Sequence, residues 1–82
     1  MSRHIDEPIT VHVNHEMRPT AFIWRRRLYK VSGILAWWRE AADWWNGEPV
    51  KMLIRVTAEC GGSGTFELCR HGADWSLHRL LD

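Results

Sequence analysis

Much of this chain alternates apolar and polar residues with a period of two, the mark of strands that pack one face on a core and show the other to water. Ile9-Thr10-Val11-His12-Val13-Asn14 is β-branched and alternating, and predicts a half-buried strand that breaks over Asn14 to Pro19. Thr20 to Trp24 and Leu28 to Ile34 read as the two arms of a hairpin around Arg25-Arg26-Arg27. Setting Trp24 opposite Tyr29 and Phe22 opposite Val31 places those four on one face, with Ile23, Arg25, Leu28 and Lys30 on the other. The turn is then Arg26-Arg27, where a two-residue loop ordinarily wants Asn-Gly or a similar pair at positive φ.

Val50 to Cys60 alternates most clearly, with Met52, Ile54, Val56 and Ala58 on one face and Leu53, Arg55, Thr57 and Glu59 on the other. Gly61-Gly62-Ser63-Gly64 signals a turn, and Thr65 to Arg70 returns with Phe66 and Leu68 inward. Pairing Ala58 with Phe66 and Val56 with Leu68 leaves Gly61-Gly62-Ser63 as a three-residue loop. His71-Gly72-Ala73-Asp74 makes the next turn, and Trp75 to Leu81 the last strand. Gly33 to Gly47 fits two descriptions. Ile34, Trp37, Trp38, Ala41, Ala42, Trp44 and Trp45 follow the three-four spacing of an amphipathic helix, with Ser32 as cap and Asn46-Gly47 as stop. The same residues also serve as a long bent strand, a turn near Arg39 to Asp43 and a short Trp44-Trp45 strand.

The chain has 82 residues and a formal net charge of +1, so one small domain is expected, with residues 1–6 as a flexible segment and 7–82 as the folded unit. Its longest mostly apolar run, Val31 to Trp38, contains Ser32 and Gly33 and falls far short of the roughly 20 residues that cross a bilayer. With no apolar leader in Met1 to Pro8, and only Cys60 and Cys69 as thiols, the expectation is a cytoplasmic protein with free cysteines and no membrane partner. Charge is segregated: residues 17–39 hold Arg18, Arg25, Arg26, Arg27, Lys30 and Arg39 and no acid, whereas the other five basic residues share the rest of the chain with all ten acids. That predicts a basic face on a protein that is not basic overall.

The run Phe22-x-Trp24-Arg25-x-Arg27-x-Tyr29-x-Val31, the Trp44-Trp45 pair, Phe66-Glu67-Leu68 and the closing Trp75-x-Leu77-x-Arg79-x-x-Asp82 resemble a small bacterial domain family of unknown function, from about Glu7 to Asp82. A Trp-Trp pair, an x-Arg-Val strand, a Tyr/Phe-x-Leu strand and a final Trp-x-Leu-His are also similar to the extreme C-terminal domain of mutasome-type (ImuB-like) Y-family DNA-polymerase-like proteins. The resemblance implies a setting of DNA damage tolerance and no catalytic residue. It also implies glycine where this chain has Arg26, and it favours strands for Gly33 to Gly47. The expected fold is therefore all-β and mainly antiparallel, a barrel or roll of five or six strands, with room for one short helix between residues 33 and 47.

Cys60, Cys69, His71 and His78 form C-x₈-C-x-H-x₆-H, which lacks the close ligand pairs of structural zinc sites. In the hairpin register above, Cys60 shares the Phe66/Leu68 face and Cys69 points the other way, so no metal is expected there. Ser63 or Cys69 beside a histidine has no positional signature of a nucleophile, and Gly61 to Gly64 leads into a strand rather than a phosphate-binding helix. No catalytic residue and no cofactor is expected. Two binding surfaces remain. Arg25, Arg26, Arg27 and Lys30, with Trp24, Tyr29, Trp37 and Trp38 on the adjacent strands, suit phosphates and unpaired bases, making DNA one candidate partner. Trp37, Trp38, Trp44 and Trp45, with Arg39, suit a protein partner or a second copy of the chain, because one member of each adjacent pair on a strand must face outward. The expected function is a non-enzymatic interaction domain in DNA repair or damage tolerance that binds a protein or self-associates, with single-stranded nucleic-acid binding through the Arg25–Arg27 turn as the alternative.

Overall fold

The computed structural model describes residues 3–40 and 51–81. They form seven antiparallel strands: β1 (Arg3–Pro8), β2 (Thr10–Val13), β3 (Pro19–Trp24), β4 (Arg27–Glu40), β5 (Lys51–Glu59), β6 (Ser63–His71) and β7 (Asp74–Leu81). The sheet runs in the order β1-β7-β6-β5-β4-β3-β2 and curls into a half-barrel. Its two edge strands are consecutive in the chain, joined by Ile9 alone, whose N–H donates to the Trp75 carbonyl at 3.1 Å. A continuous run from Arg3 to Val13 thus pairs first with β7 and then with β3, which explains seven strands where five or six were expected. The strand starts at Arg3, inside the segment assigned to a flexible N-terminus, because its partner β7 supplies a ladder that the local sequence does not announce.

No helix occurs among the described residues, and Gly33 to Glu40 continues β4. Trp44 and Trp45 lie outside the described residues, as does any turn near Ala41 to Asp43. β4 reconciles helix-like apolar spacing with a strand by carrying two bulges, at Ser32 and at Leu35, where an extra residue faces β5. Each bulge resets the alternation, so Val31, Ile34 and Trp37, three apart, all take the inner face opposite Ala58, Val56 and Ile54.

Both hairpins sit two residues away from the registers that the pattern suggests. Phe22 faces Tyr29 and Trp24 faces Arg27, so the turn is Arg25-Arg26, and both residues have positive φ (52° and 65°), as a type I′ turn requires. In the next hairpin Ala58 faces Gly64 and Val56 faces Phe66, leaving Cys60-Gly61-Gly62 as the loop with Gly61 at φ 71°. A shift of two keeps every side chain on its face, so alternation cannot distinguish the registers. Ring packing does: Phe22 stacks on Tyr29 with centroids 5.0 Å apart and 6° between planes, and Phe66 meets both edge-on. These rings, with Trp24, Ile54, Val56, Ala58, Leu68 and Leu77, form the core of the inner face.

Candidate functional site

The Arg25-Arg26 turn is tied to the opposite edge of the sheet. Glu7, on β1, accepts a hydrogen bond from the Trp24 indole Nε1 at 2.9 Å and from Arg25 Nη2 at 2.9 Å, while the Arg25 guanidinium lies 4.6 Å over the Trp24 ring. Pairing with Arg25, together with the Trp24 N–H, holds the Glu7 carboxyl below its usual range, and the same contact raises the Arg25 pKa. Arg25 is therefore engaged as a clasp across the half-barrel. Arg26, Arg27 and Lys30 are exposed. Trp24, only 8% exposed, and Tyr29 belong to the core and not to the surface beside the arginines.

Trp37 and Trp38 part as adjacent strand residues must. Trp38 takes the outer face opposite Leu53, half-buried, with the Arg55 guanidinium 5.5 Å from its ring. Trp37 takes the inner face opposite the buried Ile54 and is 40% exposed, on the part of β4 beyond Lys30 where β3 no longer pairs with it. Ile34, Leu35 and Trp37 make an exposed apolar stretch that ends at the exposed charges of Arg39 and Glu40. From Val31 onward, among the described residues, one edge of β4 has no strand beside it.

Cys69 keeps the outer face that the pattern gives it but is buried there, whereas Cys60 leaves the Phe66/Leu68 face for a loop. Cys60 sits in the β5–β6 loop, half-buried, and Cys69 is buried on the outer face beside Leu53 and Ser76. Burial pushes the Cys69 thiol up, with Lys51 and a Ser76 hydrogen bond acting against it. Of the C-x₈-C-x-H-x₆-H residues, only His78 enters a cluster of ligand-type groups among the described residues, and its companions are His4 and Asp6.

That cluster was not legible from spacing. A bulge in β1 between His4 and Glu7 and another in β7 at His78 turn Asp6 and His78 toward each other, with Asp6 at φ 53°. Asp6 reaches His4 Nε2 at 2.9 Å with one oxygen and His78 Nδ1 at 3.1 Å with the other. Behind His78 stands Glu67, buried at 4% exposure, 3.8 Å from Nε2 and 3.3 Å from Arg55 Nη2. The group borders a cleft of about 450 Å³ that also touches Lys51, Cys69 and His71. The sequence offers no local signal for it, since His78 lies more than 70 positions from His4 and Asp6 and meets them only through the β1–β7 ladder.

The family model described as Domain of unknown function (DUF6504) matches residues 1–82. The chain belongs to that family. Its match spans all of this DUF6504 domain, the clasp, the β4 stretch and the His4/Asp6/His78 cluster alike. No curated protein and no solved structure matches the chain.

Proposed function

We propose that this domain is a non-enzymatic accessory module that associates with another polypeptide along the outer half of β4, and that a second copy of the chain is its simplest occupant. One observation carries the reading: Trp37, 40% exposed, follows Ile34 at 36% and Leu35 at 57% along a strand edge with no neighbour among the described residues. Exposed tryptophan beside aliphatic side chains is the composition of interface centres, and an open strand edge invites pairing. The bulges at Ser32 and Leu35 interrupt the ladder geometry, so side chains carry the contact more than continuous backbone pairing does.

Support for DNA as the partner comes from the exposed Arg26, Arg27 and Lys30; of the four rings that would stack bases, Trp24 and Tyr29 pack in or against the core, Trp38 is half-buried and Trp37 is exposed. The DNA damage-tolerance setting rests on the resemblance of the tryptophan pair and the closing Trp75-x-Leu77-His78 to the polymerase-like C-terminal domain. Sedimentation velocity across a concentration series is the test. A dimer is expected whose dissociation constant rises about tenfold or more for Trp37→Ala and for Leu35→Lys, while thermal stability stays within about 0.5 kcal/mol, as at a surface site. A chain that stays monomeric throughout, or a dimer indifferent to both changes, overturns the reading. Single-stranded DNA binding that is salt-sensitive and lost in Arg26→Ala/Arg27→Ala would transfer the function to the alternative.

A further inference from the structure

We propose that His4, Asp6 and His78 bind a divalent first-row transition metal, with zinc as its simplest occupant. Two imidazoles and one carboxylate are the donor set such ions prefer, and their ligand atoms all lie within 4.8 Å of one another. Three strand-borne donors are brought together by two facing bulges, so the constellation is built into the ladder rather than into a loose surface loop. Asp6 holds a positive φ of 53°, a conformation that costs a non-glycine residue energy, and it is this backbone that directs the carboxylate between the two rings.

The surroundings of His78 are the second, independent observation. Its Nδ1 faces Asp6 at 3.1 Å, and its Nε2 faces Glu67 at 3.8 Å. A neutral imidazole that donates from Nδ1 to Asp6 would present the bare Nε2 lone pair to the Glu67 carboxylate, acceptor against acceptor. Metal at Nδ1 removes that conflict, because the ring proton then resides on Nε2 and points to Glu67. A carboxylate behind a ligating histidine is the usual outer partner that fixes the ring and its tautomer. Glu67 is itself buried and fixed by Arg55, whose Nε is buried without a partner among the described residues. Arg79, opposite both His4 and Glu67 in the ladder, adds a cation to this face, so affinity must come from direct donors and not from bulk negative charge. Three protein ligands leave a position open toward the cleft, for water or for a ligand from a partner.

The competing arrangement is direct contact of Asp6 with His4 and His78 and no ion between them, and zinc titration separates the two. Tag-free protein, freed of metal with a chelator, is titrated with zinc chloride at neutral pH and read by calorimetry. Uptake of one zinc per chain is expected. Asp6→Asn, which tolerates the same positive φ, and His78→Gln should abolish it, and Glu67→Gln should weaken it by about 10- to 100-fold. Melting curves in chelator, unchanged by Asp6→Asn, show that the variant is folded. Cobalt substitution should give d–d absorption without a thiolate charge-transfer band, since Cys69 lines the same cleft but is not a ligand. Cys69→Ser and His71→Ala should leave uptake intact. The proposal is overturned by an absence of saturable uptake, by uptake indifferent to Asp6→Asn and His78→Gln, or by a cobalt–thiolate band.

Discussion

Leu53 offers the sharpest test of the half-barrel, because the two-residue period of β5 and the folded structure assign it opposite fates. The alternation groups Leu53 with Arg55, Thr57 and Glu59, on the face turned away from the aromatic core, where a leucine would ordinarily be half-solvated. In the structure it is 2% exposed, between Trp38 and Cys69 in the ladder, while its neighbour Ile54 is fully buried on the other face. Leu53→Ala deletes three carbons at about 0.8 kcal/mol each, and the cavity left behind brings the loss to about 3 kcal/mol. Ile54→Ala should cost about as much. Against a total stability of about 4–12 kcal/mol for a domain of this length, either change is severe. Urea unfolding followed by tryptophan fluorescence should show midpoints lowered by about 2 M for a slope near 1.5 kcal/mol per M. A Leu53→Ala loss below about 1 kcal/mol, beside a loss near 3 for Ile54→Ala, would refute burial of the outer face at β5.

Two further predictions concern the β3–β4 turn. Glu7 has its folded pKa lowered by Arg25 and the Trp24 N–H, so its stabilising contribution is complete above the unfolded value of about 4.3 and is lost as pH falls through the lower folded value. Glu7→Gln should remove that acid-side loss, and urea midpoints of the two proteins, measured from neutral pH downward, should converge as the wild type protonates. A constant difference at every pH would exclude the clasp. Arg26 holds φ at 65°, and glycine relieves that strain, so Arg26→Gly should stabilise by up to about 1 kcal/mol and raise the melting temperature by about 4–8 °C. A fall in melting temperature would mean that the arginine side chain contributes more than its backbone costs.

What the sequence determined by itself is which residues face which way. Period-two alternation put Phe22, Trp24, Ile54, Val56, Phe66 and Leu68 inward, and each is buried in the core. It fixed the turns at Gly61-Gly62 and Gly72-Ala73, where glycine takes positive φ. It could not fix hairpin register, since a slip of two residues leaves every face unchanged and only ring stacking and the Glu7 clasp choose between the alternatives. Nor could it separate helix from strand at Gly33 to Glu40, because two bulges imitate a three-residue spacing. The adjacent pair Trp37-Trp38 implied rings on opposite faces, and the structure has Trp38 on the outer face and Trp37 on the inner one, 40% exposed on the part of β4 beyond Lys30 that β3 does not reach. The His4/Asp6/His78 cluster belongs to tertiary structure alone. Its members come from the two ends of the chain, and a bulge in each strand brings them together, a local irregularity that alternating sequence does not encode.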